Sequence, residues 1–168
     1  MAIVFTKSAA LTAMDASGQP PSSRLHGTVR CAMGTVAIAN GDSIASILRF
    51  ARVPSTCRVG RINLKITGTI TSAAGDIGVY RESTSTTSAG AVVDVDLFGS
   101  AQALSTALPA WTDVTNESAS ITALVAEMPL WQAAGMTSDP GGYLEIAITL
   151  TAAAGAAGTV AMEVVYVD

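Results

Sequence analysis

The residue types that most often carry catalysis are scarce in this sequence. It contains one histidine, His26, and two cysteines, Cys31 and Cys57. A hydrolytic triad would have to use His26, but there is no Gly-x-Ser-x-Gly motif and neither cysteine has the sequence setting of a nucleophile. The cysteines also lack the spacing of a zinc or redox motif. We therefore expect no hydrolase and no metal site, and two thiols that act as small hydrophobic side chains, with a disulfide as the alternative.

Paired carboxylates are the next candidates for chemistry, because two acids at a suitable separation can catalyse hydrolysis or bind a cation. Asp94 and Asp96 alternate with valines, so they are expected on one face of a strand. With Asp76 they could bind calcium, but the sequence has no Asp-x-Asp-x-Asp-Gly loop, and it has no Gly-x-x-x-x-Gly-Lys phosphate loop. Solvated surface acids are the preferred interpretation. We expect no enzyme activity and no cofactor.

Charge is distributed unevenly along the chain. Residues 1 to 81 contain all nine Lys and Arg and three acids, a net charge of +6, whereas residues 82 to 168 contain ten acids and no base, a net charge of −10. In one interpretation the two halves are intertwined in one fold and neutralise each other. In the other, a basic face of one chain meets an acidic face of another, and the excess of arginine over lysine suits such ordered contacts with carboxylates.

The second interpretation defines a set of candidate interface residues. They are Arg49, Arg52, Arg58, Arg61 and Lys65 on the basic side and Asp94 and Asp96 on the acidic side. Nucleic acid is a poorer partner for the basic residues, because Phe50 is the one aromatic residue interleaved with them and the acidic half would repel phosphate.

The composition favours one domain whose surface packs against neighbours. A chain of 168 residues can bury a core without disulfides or metals. Its charged fraction is 13%, about half that of an average soluble domain. Mean hydropathy is +0.46, yet the sequence has no run of about 20 apolar residues, and its start lacks the basic region of a signal peptide. We expect a soluble protein made in a cytoplasm, without a membrane partner.

Residues 1–27 are expected to form an N-terminal arm or linker, and residues 28–168 a single domain. The arm has a short apolar start, followed at 16–23 by a run rich in Pro, Gly and Ser that disfavours both helix and central strand. Two interpretations remain open: the arm reaches a neighbouring subunit, or it is a frayed terminus without a role.

Apolar and polar residues alternate over much of the remaining chain, which predicts β-strands. The clearest case is 61–71, where Ile62, Leu64, Ile66 and Ile70 point to one side. The same period appears at 93–97 and 144–151. Segments 143–151 and 159–167 are expected to form a hairpin around a small-residue loop. Less regular strands are expected at 28–39, 43–53 and 77–82, between turn signals at 40–42, 54–55 and 73–76.

One segment departs from this period. Residues 120–134 carry apolar side chains at helical spacing, which predicts one short helix disturbed at Pro129. Many short strands, few helices and no alternating β-α rhythm predict an all-β fold. We expect a two-sheet antiparallel β-sandwich, with a jelly roll favoured over a partly closed barrel.

Four segments share strand-like motifs rich in small residues: GDIGVY at 75–80, GAVVDVDLFGSA at 90–101, MPLWQAAG at 128–135 and the ending from Asp139 to Val167. Together they resemble small virion proteins of tailed bacteriophages. The resemblance covers about residues 70–168 and is weaker before them. Its motifs are strand-like and compositional, so it carries no catalytic residues.

The resemblance implies a structural protein of the phage head, of the decoration or cement type, that binds the capsid lattice from outside. The implied partners are the major capsid protein or other virion proteins, with self-association into a dimer or trimer. The implied location is the virion, assembled in the host bacterial cytoplasm. Alternatives are a tail or head-tail connector component, and a glycan-binding virion module that uses Trp111, Trp131 or Tyr143.

Overall fold

The computed structural model describes residues 27–85, 88–105, 108–115 and 128–168. These residues form eight strands and one four-residue helix, α1. The strands are β1 (Val29–Ile38), β2 (Ile47–Pro54), β3 (Arg58–Thr67), β4 (Ala74–Arg81), β5 (Val92–Ala103), β6 (Leu108–Asp113), β7 (Tyr143–Ala152) and β8 (Gly158–Val167), and α1 is Leu130–Ala133. The predicted arm, apart from Gly27, lies outside the described residues.

The strands form two four-stranded antiparallel sheets. Sheet 1 has the order β1-β8-β3-β6, and sheet 2 has the order β2-β7-β4-β5. The pairs β1·β8, β2·β7, β3·β6 and β4·β5 are antiparallel. The first and third of these pairs belong to sheet 1, and the second and fourth belong to sheet 2. This is the jelly-roll arrangement. The predicted all-β sandwich is confirmed.

The core lies between the two sheets and is supplied by alternate residues of the central strands. Ile62, Leu64 and Ile66 of β3 are fully buried, as are Leu144 and Ile146 of β7. Each such aliphatic side chain contributes about 1.5–3 kcal/mol of hydrophobic stabilisation relative to an exposed one. The predicted inward faces of these two strands are therefore correct.

At one side of the sandwich, β1 approaches β2 closely enough to require glycine. A Cβ atom on Gly34 of β1 would overlap the carbonyl oxygen of Phe50 in β2. Phe50 lies where the β2·β7 register shifts, between Arg49 and Ala51. The bulge and the glycine together let the edges of the two sheets meet.

The predicted hairpin between 143–151 and 159–167 is wrong in its pairing. β7 pairs with β2 and β4 in sheet 2, whereas β8 pairs with β1 and β3 in sheet 1. The connection at 153–157 therefore crosses from one sheet to the other, over a gap of about 10 Å. Periodicity reveals that each strand has one buried face but does not reveal which sheet it joins.

Several strand boundaries also differ from the prediction. β2 begins at Ile47 rather than at residue 43 and includes Pro54, which was expected in a turn. β3 ends at Thr67 rather than Thr71, because Gly68 adopts φ +89° and turns the chain. Ile70 is still fully buried, but from the following loop. Ala74 and Gly75, expected in a turn, begin β4 instead.

β6 was not predicted at all. All of its residues except Leu108 are exposed, it includes Pro109, and it lies at the edge of sheet 1. A strand exposed on both faces has no alternating pattern by which it could be recognised.

The predicted helix at 120–134 lies largely outside the described residues. Its described part is α1, which begins directly after Pro129, so this proline precedes the helix. Leu130 is buried, and its N–H donates to the carbonyl oxygen of Cys57 at 2.8 Å. Trp131 packs against the core. No helix among the described residues has the length and apolarity needed to cross a membrane.

Candidate functional site

The most organised polar cluster joins two of the predicted interface arginines to a buried carboxylate. Glu145 of β7 is only 3% exposed and lies opposite Arg52 of β2 in the strand register. Arg49 donates from Nε to Glu145 Oε2 at 2.7 Å and from Nη2 to Oε1 at 2.6 Å, and Arg52 Nη2 donates to Oε1 at 2.7 Å. We call these three residues the Glu145 cluster.

The cluster also holds the segment that follows β4. Arg49 Nη1 donates to the carbonyl oxygens of Ser85 at 2.7 Å and Ser88 at 3.3 Å, and its Nη2 donates to that of Ser83. Arg52 Nη1 pairs with Glu82 at 2.8 Å. Two guanidinium groups thus fasten this segment to the outer side of sheet 2, and a cleft of about 430 Å³ lies beside them.

These contacts keep Glu145 ionised. Burial by itself would raise the pKa of this carboxyl, but hydrogen bonds from Arg49, Arg52 and the Ser83 N–H, with the charge of Arg49, outweigh burial and lower it. The hydrogen bond with Glu145 also raises the pKa of Arg49. A carboxylate so neutralised is a poor general acid or base, and its evident role is to join strands.

The remaining predicted bases lie on the other sheet. Arg58, Arg61 and Lys65 belong to β3 in sheet 1, so no single face carries all five. Beside Arg61 and Lys65 on this strand, Asn63 lies opposite Asp113 on one side and Glu163 on the other, and it donates to Glu163 at 2.5 Å. The outer face of β3 therefore has mixed charge.

The predicted acidic pair lies on β5, at an edge of sheet 2. Asp94 accepts a hydrogen bond from the Asp96 N–H at 3.3 Å. Partial burial and the neighbouring Asp96 carboxylate raise the pKa of Asp94, while the backbone hydrogen bond opposes them. The register against β4 shifts here, so that Asp94 and Gly99 lie opposite Val79 and Ile77. Among the described residues there is no cluster of three or more His, Cys, Asp or Glu that could hold a metal.

An apolar patch on sheet 1 was missed by the sequence reasoning. Val29, Cys31 and Met33 of β1 point outward, with Val29 69% and Met33 63% exposed. Val167 and Val165 of β8 lie opposite Val29 and Cys31. We call these five residues the Met33 patch. The alternation of residues 29, 31 and 33 with Ala32 and Gly34 was the available signal.

The candidate glycan-binding aromatics do not form one platform. Trp111 is 40% exposed on β6 of sheet 1, and Tyr143 is 51% exposed at the start of β7 in sheet 2. Trp131 packs against the core.

Comparisons with known proteins give likeness of shape alone. No protein-family model matches this chain, and no curated protein does. A chain in the acidic stable capsid structure of Helicobacter pylori bacteriophage KHP30 is similar at 12% identity and a TM-score of 0.47, over 86% of this chain and 90% of that one. A chain in the cyanophage Pam1 capsid asymmetric unit is similar at 18% identity and a TM-score of 0.44, over 85% and 86%. Scores this low carry no argument about function.

Proposed function

We propose that this chain is a structural protein of a bacteriophage virion that binds the capsid lattice from outside, as a decoration or cement protein, and is not an enzyme. The segments that resemble tailed-phage virion proteins fall on β4, β5, α1, β7 and β8; they are 75–80, 90–101, 128–135 and 139–167. The resemblance thus lies in the framework of the sandwich. A framework provides shape and surface for contacts with other proteins.

The state of two buried ionisable groups supports the part of the proposal that denies enzyme activity. Glu145 is held ionised between Arg49 and Arg52. Burial, with a smaller effect of the Asp168 charge, raises the pKa of Cys57 to about 12, which keeps this thiol unreactive at neutral pH. The pKa of a catalytic group usually lies near the pH at which the group works. The pKa values of Glu145 and Cys57 are instead shifted away from neutral pH.

The mechanism we propose is stabilisation by many weak contacts. Each copy bridges adjacent capsid subunits, and the contacts add up over the lattice because bound copies act together. Self-association into a dimer or trimer would match a symmetric lattice position. Arg61 and Lys65 are the candidate contact residues, since they lie on the outer face of β3 and none of the ion pairs found within the described residues includes them.

Binding to empty phage heads tests the proposal. Light scattering after size-exclusion chromatography would give the oligomeric state, and co-sedimentation with heads would give the number of copies bound. We expect a symmetric oligomer and saturation at many copies per head. Saturation at a few copies would favour the tail or connector alternative, and a monomer that does not bind would contradict the proposal.

A charge-reversal pair maps the contact. Arg61→Glu with Lys65→Glu should weaken binding by about tenfold or more, equal to about 1.4 kcal/mol. Arg81→Glu is the control for a charge reversal elsewhere on the surface, because Arg81 is an exposed base on β4 in the other sheet. Equal binding by both variants would exclude this part of β3 from the contact.

A further inference from the structure

The Met33 patch is an apolar surface at the edge of sheet 1. It combines two strongly exposed side chains, Val29 and Met33, with the exposed thiol of Cys31. Val165 and Val167, both half-buried, extend it across the neighbouring strand, and Glu163, opposite Met33 and hydrogen-bonded to the Cys31 thiol, lies at its edge. A contiguous exposed apolar patch on a soluble protein usually marks a surface that another segment or molecule covers.

The chain enters the sandwich beside this patch. Thr28 is fixed to the end of β8 by two backbone hydrogen bonds, from Thr28 N–H to the Asp168 oxygen at 2.9 Å and from Asp168 N–H to the Thr28 oxygen at 3.1 Å. Val29, the next residue, is already part of the patch. The 26 residues before Gly27 are therefore tethered at its border.

The composition of those residues suits them to cover it. Ile3, Val4 and Phe5 are three consecutive large apolar residues, and Gly18, Pro20 and Pro21 follow. Residues 15–26 could span about 40 Å when extended, at roughly 3.3 Å per residue. The patch extends only about 13 Å along β1, from Val29 to Met33. The chain is thus long enough to return over its own sheet.

We propose that the N-terminal segment folds back and docks Ile3, Val4 and Phe5 on the Met33 patch of its own chain. The tether favours the same chain over a second copy, because covalent attachment gives an effective concentration of up to about millimolar. A second copy in dilute solution would be present at far lower concentration. The arm is then a built-in cover for an apolar surface.

Cys31 provides a direct measurement, because its thiol lies within the patch. Its alkylation rate should be about tenfold lower in the full chain than in the variant Ile3→Ser/Val4→Ser/Phe5→Ser. The rate in the full chain should not change when the protein is diluted. Cys57 serves as an internal control: it is fully buried and should remain unlabelled while the sandwich is folded.

Substitution on the patch side tests whether the two surfaces meet. Met33→Ser should raise the alkylation rate of Cys31 in the full chain. It should have little further effect on that rate in the triple-serine variant, since the effects of coupled substitutions are not additive. Thr35→Ser is the matched control, two residues further along the same face of β1, and should leave the rate unchanged. Equal Cys31 rates in the full chain and the triple-serine variant would overturn the proposal. Protection that disappears on dilution would also overturn it and assign the cover to a second copy.

Discussion

Replacing Glu145 by Gln should be among the most destabilising polar substitutions in this protein. The side chain is 4% exposed and forms ion pairs with Arg49 at 2.6 Å and Arg52 at 2.7 Å. Glutamine is nearly the same shape but removes the negative charge and turns an amide group towards two guanidinium groups. Breaking a buried ion pair costs about 3–5 kcal/mol. Because the Arg52 side chain is 39% exposed and water can compensate part of its charge, we expect about 2–4 kcal/mol.

Urea denaturation measures this loss as a lower midpoint at an unchanged m-value. The corresponding fall in Tm is roughly 5–15 °C for a domain of this size. Glu82→Gln is the matched control, since Glu82 pairs with the same Arg52 but is 38% exposed, and it should cost about 0–1 kcal/mol. Hydrogen exchange at residues 82–85 should also accelerate in the Glu145 variant, because Arg49 and Arg52 hold this segment. If the two variants were equally stable, the conclusion that Glu145 stabilises the fold through its ion pairs with Arg49 and Arg52 would be refuted.

Three further predictions concern acid stability, packing and thiol reactivity. The folded-state pKa of Glu145 is lowered. Its stabilising contribution should therefore be present above the unfolded pKa of about 4.3 and be lost as the pH falls through the folded-state pKa. Glu145→Gln should flatten this part of a curve of unfolding free energy against pH. Gly34→Ala should destabilise the protein by about 1–3 kcal/mol, because the added Cβ would overlap the β2 backbone. Gly60→Ala is the control: a Cβ on Gly60 would approach no atom closer than 3.7 Å, so this variant should change the unfolding midpoint little. Local burial, followed by the charge and hydrogen bond of Glu163, raises the pKa of Cys31. Glu163→Gln should therefore speed the alkylation of Cys31 near neutral pH. An unchanged dependence of the alkylation rate on pH would contradict this effect of Glu163.

The strength of the hydrophobic pattern decided which parts of the fold could be predicted. β3 and β7 alternate regularly because one face of each packs into the core, and their inward residues were identified correctly. β5 alternates only up to its register shift, beyond which Phe98 is fully buried. β6 has little buried surface, so no pattern marked it. The pairing of β7 and β8 could not be predicted, because the sheet that a strand joins depends on contacts distant in sequence.

The candidate site was predicted by residue type but not by arrangement. Arg49 and Arg52 were singled out, yet they form the Glu145 cluster within the chain, and Glu145 lies 96 and 93 positions away from them. Before the fold was known, Glu145 was one polar residue on the outward side of a strand. The Met33 patch was overlooked because its residues are individually ordinary and become a surface only when β1 and β8 are paired.

The uneven charge distribution follows the topology closely. The boundary between the basic and acidic halves, Arg81 to Glu82, is the end of β4, so β1 to β4 belong to the basic half and β5 to β8 to the acidic half. In both sheets, β1-β8-β3-β6 and β2-β7-β4-β5, every neighbouring pair takes one strand from each half. The ion pairs of Arg30 with Asp168, and of Arg49 and Arg52 with Glu145, join the halves in this way.

This arrangement gives the charge pattern a role in selecting the fold. Opposite charges across neighbouring strands stabilise a sheet and like charges destabilise it. Pairing between two strands of the same half would bring like charges together, whereas the jelly-roll order avoids such pairs throughout. The interpretation in which the two halves neutralise each other therefore explains Arg49 and Arg52 without a partner chain. It leaves the outer face of β3, with Arg61 and Lys65, as the part of the basic half on which the proposed capsid contact depends.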